Sequence, residues 1–318
     1  MQDTSDPFEI NLADLRPAQW LQEMKELGTT HGFFEPLGKH HNAVFVERGD
    51  TLLVTFESLP GMQVFSPEAR PLGFDLAKEN DWSCLTVVCN RDTWFRDGQV
   101  YGFFDQLTDD GFFEEFDQVI FFGGGAGGYA ACAYSVASPG ATVLALEPQA
   151  TLDPRIAEWD DRFVEMRKLD FSHRYGFAPD MLEAAEKAYI IYDPQRRLDA
   201  MHAALFERNG ITRFRARHLG GGMQSHMQLM GMLKPLVRAA ADGTLNDETY
   251  AKLYRMRRDY VAYCKRLFGE IDEQDRPYMS EAVCAYISET FNAPRYRRKL
   301  ERMRAARSKD DDEVAQEA

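Results

Sequence analysis

Residues Val119 to Gly128, "VIFFGGGAGG", constrain this chain more than any other stretch. An apolar run enters five glycines and one alanine, and "YAACAYS" follows with the composition of a helix. The pattern predicts a strand, a tight turn and a helix. Glycines at such a turn permit backbone conformations and close approaches that a side chain would forbid. Two kinds of site use this shape. One cradles a dinucleotide pyrophosphate on the N-terminus of the helix. The other is a sharp elbow that presents a catalytic nucleophile.

The surroundings of the turn set the fold class. "NAVFVERG", "TLLVTFESL" and "SCLTVVCN" read as strands ahead of it, with Gly49-Asp50 as a hairpin signal between the first two. Leu52 to Phe56 is apolar apart from Thr55, as in a strand buried on both faces. "QVYGFFDQLTDDGFFEEF" reads as a helix, a turn and a short amphipathic piece. After the turn, the strands "ATVLALEP", "AYIIYDP" and "ITRFRARHL" alternate with the helical segments "DPRIAEWDDRFVEMRK", "DMLEAAEK" and "RLDAMHAALFERNG". This alternation predicts an α/β fold with a mostly parallel sheet covered by helices on both faces. From about Met223 strands disappear. "MQLMGMLKPLVRAAADG", "NDETYAKLYRMRRDYVAYCKRLFGEI" and "YMSEAVCAYISETF" read as helices, with Asn246 as an N-cap. The expected organisation is a lead and helix over 1–38 ("LADLRPAQWLQEMKELG", stopping at Gly28), an α/β unit over 39–222, a helical extension over 223–309 and an acidic disordered tail over 310–318.

Each reading of the turn names its own residues. Gly123, Gly125 and Gly128 fit G-x-G-x-x-G, and Glu147 ends the next strand at about the distance of a ribose-binding acid. That reading implies FAD or NAD(P). Against it, this fingerprint usually opens its domain, whereas here strands precede it. Gly123 to Gly127 also fit G-x-Nuc-x-G, with Gly125 where Ser, Cys or Asp would stand. Asp193, ending "IIYDP", and His218, ending "ITRFRARH", follow in the order acid then base. Ser58, Ala126 and Tyr129 would then line the pocket or the oxyanion hole. Glycine cannot form an acyl-enzyme. The elbow reading therefore gives either a protein without catalysis or one using water activated by His218 and Asp193. It asks for no cofactor.

The stretch "FFGGGAGGYAACAYSVASPGATVLALEPQATLDP" resembles a group of bacterial α/β-hydrolase-like proteins whose elbow reads roughly G-S-S-M-G-G-Y-A-A and whose next strand ends in S-P-Q. The match is close over about Val119 to Pro154 and extends weakly, by strand order, to about Leu219. It differs at Gly125, in place of the nucleophile, and at Glu147, in place of the serine. Some proteins of this group are encoded with surface-polysaccharide genes, so the resemblance implies an accessory role near cell-envelope glycan metabolism. Relatives labelled phosphoadenosine phosphosulfate reductase imply a C-terminal Cys-Gly-x-His-type motif, which neither Cys264 nor Cys284 fits.

Composition excludes other classes. The formal charge is −14, from 37 basic and 51 acidic residues, which disfavours nucleic acid and anionic membrane as partners. Five cysteines without CxxC spacing argue against disulfides and structural zinc, and His40, His41 and His226 read as solvent or packing residues, so no metal is expected. "MQDTSDPFEI" is not a signal peptide, and no apolar run reaches the roughly 20 residues of a membrane helix. A cytoplasmic protein is expected by elimination. The basic segment Arg295 to Lys309 reads as a solvated helix end or as a docking arm for an acidic partner. The ligand is an unidentified small molecule or protein.

Overall fold

Continuous apolar runs become strands buried on both faces. In the computed structural model, which describes the backbone of residues 6–317 and the side chains of 6–308, eight strands form one sheet. They are β1 (Gly32–Leu37), β2 (His41–Val46), β3 (Thr51–Ser58), β4 (Ser83–Cys89), β5 (Gln118–Gly124), β6 (Thr142–Leu146), β7 (Lys187–Tyr192) and β8 (Ile211–Arg215), in the order β1-β2-β4-β3-β5-β6-β7-β8. β2 runs antiparallel to β1 and β4, and the pairs from β4 to β8 are parallel. The expected hairpin at Gly49-Asp50 does not form, because β2 pairs with β4 rather than with β3. The chain instead packs tightly there, and a Cβ on Gly49 would lie 2.2 Å from the Asp81 carbonyl oxygen.

Fourteen helices follow in chain order among the described residues. They are α1 (Pro17–His31), α2 (Leu59–Phe65), α3 (Leu72–Asn80), α4 (Gly98–Asp109), α5 (Ala126–Tyr134), α6 (Pro154–Ala157), α7 (Ala178–Met181), α8 (Arg197–Leu205), α9 (Met223–Leu229), α10 (Leu233–Ala241), α11 (Asp247–Tyr254), α12 (Val261–Glu273), α13 (Pro277–Thr290) and α14 (Pro294–Glu317). The pleat divides the strand side chains between two apolar layers. Leu53, Ile120, Phe122 and Leu144 face one layer, with Trp20 of α1, Phe74 of α3 and residues of α9 to α14. Leu52, Val54, Phe121 and Val143 face the other, with Phe104 of α4, Tyr134 of α5 and Ala203 of α8. The architecture is α/β, with a mostly parallel sheet covered on both sides. The C-terminal helices share the first layer: Cys284 and Leu300 pack in the same cluster as the strands.

Several local expectations are corrected. β1 was not anticipated, because "GFFEPL" carries a glycine and a proline, and Pro36 is tolerated there because β1 is an edge strand. Gly28 lies inside α1 rather than ending it. A Cβ there would sit 2.6 Å from the Phe33 carbonyl oxygen, so the glycine lets α1 press on β1. The long helix expected over "DPRIAEWDDRFVEMRK" survives only as α6 and a 3₁₀ turn, Val164–Lys168. Between them Asp160 is buried against Arg162 (2.7 Å) and His202 (2.9 Å), a pairing that draws the chain out of helical conformation. The single helix expected after Met223 breaks at Gly231, whose φ is 73°, into α9 and α10. The next breaks at Arg255–Asp259 into α11 and α12. Asn246 does cap α11, accepting the Thr249 N–H at 3.0 Å. α14 continues through Glu317, over residues where a tail was expected.

Candidate functional site

The helix α5 is built from small residues so that it can lie close on the sheet. Cβ atoms on Gly123 and Gly127 would approach the Gly127 and Phe56 carbonyl oxygens to 2.3 Å, and one on Gly128 the Leu146 oxygen to 3.0 Å. These three glycines are required by packing of strand against helix. Gly125 differs. It sits at the apex between β5 and α5 with φ 57° and ψ −120°, its N–H donates to the Leu146 carbonyl at 2.9 Å, and a Cβ there would meet nothing within 4 Å. The conformation is one that strains any other residue. A side chain at Gly125 would project into open space.

That space is a cleft of about 290 Å³ at the C-terminal ends of the central strands. It lies where the chain direction across the sheet switches, between β3 and β5, the usual ligand position in open α/β sheets. Its walls come from Phe56 to Ser58, the face of α2 with Met62 and Phe65, the β4–α4 loop with Asp92, Thr93 and Trp94, the turn from Gly124 to Gly127, Glu147, and Gln224, Ser225 and Gln228 of α9. Ser58 caps α2, accepting the Gly61 N–H at 3.1 Å. Glu57 beneath it accepts from the Leu72 and Gly73 N–H groups at 2.8 and 3.0 Å, and burial raises its pKa against the pull of those donors. Glu147 ends β6 with a φ of 43° and accepts the Met223 N–H at 3.0 Å. Burial pushes its carboxyl up to about 7, with Asp199 adding to the rise and the Met223 N–H and Arg196 opposing it.

The residues named from the sequence divide into two groups. Gly123, Gly125, Gly128, Ala126, Ser58 and Glu147 are gathered at or under the cleft. Tyr129 is not. It is fully buried beneath the turn, donating its hydroxyl to the Tyr175 carbonyl and packing 5.5 Å from Phe171, because the fourth residue of α5 faces inward. Asp193 and His218 do not line the cleft and their side chains do not pair. The buried Asp193 carboxylate accepts the backbone N–H groups of Gln195 (3.0 Å), His218 (3.2 Å) and Gly220 (2.8 Å). It is thereby spent on fixing its own β7–α8 turn and the β8–α9 loop. His218, at φ 65°, turns its Nδ1 to Glu270 of α12. His226 is also occupied, by Tyr260 (2.9 Å) and Arg266 (3.2 Å).

The sequence reading missed Gln224. A Cβ on Gly124 would lie 2.7 Å from Gln224 Oε1, so this amide covers the turn where a base would have to reach. Among the described residues no histidine or lysine lines the cleft. Of the hydroxyls of Ser58, Ser66, Thr93 and Ser225, that of Thr93 meets an imidazole, Nε2 of the buried His41 at 2.7 Å behind the wall, and burial pushes the Cys89 thiol up to about 12. Among the described residues no group of three or more His, Cys, Asp or Glu side chains could hold a metal ion. No helix among them is long and apolar enough to cross a membrane.

No family model matches this chain, and no curated protein matches it. Solved structures are similar at low identity. A hyperthermophilic esterase from the archaeon Pyrobaculum calidifontis is 14% identical, over 76% of this chain and 94% of its own, with a TM-score of 0.43. Carboxyl esterase 2 from the fungus Tuber melanosporum is 13% identical, over 66% and 84%, with a TM-score of 0.38. The capsule O-acetyltransferase of Neisseria meningitidis serogroup A is 11% identical, over 61% and 91%, with a TM-score of 0.36. Likeness at this level carries no activity to this chain, and its α/β fold stands on its own strand order.

Proposed function

We propose that this protein binds a small ligand in the cleft over Gly125 and does no covalent chemistry on it: a hydrolase-like scaffold without its nucleophile. The observation that carries the reading is the open space above the strained apex. The turn keeps the backbone of a nucleophile elbow, and the side chain that would use it is absent. Two further observations support it. Gln224 covers the turn where a base would be needed, and both His218 and Asp193 are engaged elsewhere. Activation of a water by His218 gains no support from this geometry. A dinucleotide gains none either, since Gly123 and Gly127 meet backbone and the cleft offers carboxylates where a pyrophosphate would need cations. A role beside cell-envelope glycan enzymes rests on the resemblance of Val119 to Pro154 alone.

The test is a search for ligands by thermal melting, each followed by hydrogen exchange. The reading expects a ligand that protects α5, α9 and the β4–α4 loop and is recovered unchanged. A compound that is consumed during the incubation would overturn it.

A further inference from the structure

The lining of the cleft is unbalanced in charge. Glu57, Asp75, Asp92 and Glu147 contribute carboxyl groups, and among the described residues Arg70 is the one basic side chain in the wall. Arg70 is already committed: its Nε and Nη2 both donate to Asp75 Oδ1, at 2.9 and 2.6 Å. Glu57 is satisfied by backbone and by Thr55. Asp92 is exposed at the rim, and Glu147 reaches the floor beside the empty turn. The remaining polar lining is hydroxyl and amide, from Ser58, Ser66, Thr93, Gln224, Ser225 and Gln228. Phe65 is 60% exposed at the mouth, an aromatic face left bare where a ligand enters.

We propose that the cleft receives a small ligand carrying a protonated amine, with Glu147 as its counter-ion. This rests on the ligand-binding reading above and adds the chemical class. An acidic cleft in a low-dielectric wall concentrates cations and repels anions, and the chain's charge of −14 acts in the same direction. The bare ring of Phe65 suits a cation as it passes the mouth. The charges that face Glu147 from the other side do not neutralise it. Arg196 is paired with Asp199 at 2.6 Å, and Asp199 also holds Arg162. At the start of α9 the N–H groups of Gly222 and Met223 reach it. The hydroxyls and amides leave room for polar substituents on the ligand.

The test uses the whole protein with putrescine and ethanolamine as amines, glycerol as a neutral polyol, and acetate and phosphate as anions. Thermal melting and calorimetry at pH 7 are run in two buffers of different ionisation enthalpy. The amines are expected to raise Tm and to release a fraction of a proton on binding, because a cation favours the ionised form of Glu147, whose carboxyl titrates at about 7. Glu147→Gln should weaken amine binding at least tenfold and abolish the proton release. Asp92→Asn, on the exposed rim, should weaken it about twofold to fivefold without touching the release, as expected of a solvent-screened charge. Amine binding that is unchanged in Glu147→Gln overturns the proposal. If glycerol or phosphate binds and the amines do not, and Ser225→Trp blocks that binding, the charge class is wrong and the ligand-binding reading stands. If no probe binds, both fall.

Discussion

Putting a side chain back at Gly125 asks what the turn lacks. Gly125→Ser introduces an Oγ into open space, since a Cβ there meets nothing within 4 Å, so no clash enters the stability change. The cost is conformational. A non-glycine residue at φ 57° and ψ −120° costs about 1–3 kcal/mol. For a chain of this size each kcal/mol lowers Tm by roughly 2–4 °C, so a fall of about 2–12 °C is expected. The variant should fold and still fail to react with a fluorophosphonate, because among the described residues no histidine lines the cleft to accept the serine proton. The double variant Gly125→Ser with Gln224→His supplies that base over the turn. Glu147, which already accepts the N–H of the neighbouring Met223, is an acid in the same wall that could orient it. Stoichiometric labelling of the double variant, at least a hundredfold faster than of the single one, is the expected result at pH 8. Labelling of Gly125→Ser alone that disappears in His218→Ala would refute the reasoning. It would mean that His218 leaves Glu270 and reaches the cleft.

Three other outcomes follow from the same geometry. Gly127→Ala forces a Cβ to 2.3 Å from the Phe56 carbonyl oxygen, and overpacking between β3 and α5 should cost on the order of 3 kcal/mol in denaturant unfolding. Asp193→Ala removes the acceptor of three part-buried N–H donors and should cost on the order of 1–3 kcal/mol, while leaving ligand binding in the cleft intact if the β8–α9 loop refolds around it. Glu147 gives a pH signature: its folded pKa of about 7 lies above the ordinary 4.5, so the folded state holds the proton more tightly. Its contribution is full below pH 4.5 and is lost as pH rises to about 7, and Glu147→Gln should flatten that part of the stability curve and raise stability at pH 8.

The sheet was legible because period and composition decide it. Val119 to Phe122 is apolar at every position and Leu52 to Phe56 at every position but Thr55, as suits a strand covered on both faces. The glycine turn was legible for a related reason, since few backbone geometries need five glycines. β1 was not, because an edge strand tolerates the glycine and proline that elsewhere signal a loop. Neither was the break at Asp160, which depends on Arg162 and on His202, a residue 42 positions away. The order of Asp193 and His218 suggested a pair, yet order does not fix direction. Three backbone donors claim one side chain and Glu270, 52 residues on, claims the other. Gln224 carries no sequence signal of its own and becomes visible only when α9 is laid over Gly124.

Catalysis by the unaltered protein is the most direct measurement. Turnover of a short-chain acyl ester by the wild type, compared with His218→Ala and with Ser225→Ala, tests whether any side chain near the cleft does chemistry. The account predicts one rate for all three, equal to that of the buffer with an inert protein. A wild-type rate at least tenfold above that background, lost in either variant, would contradict it.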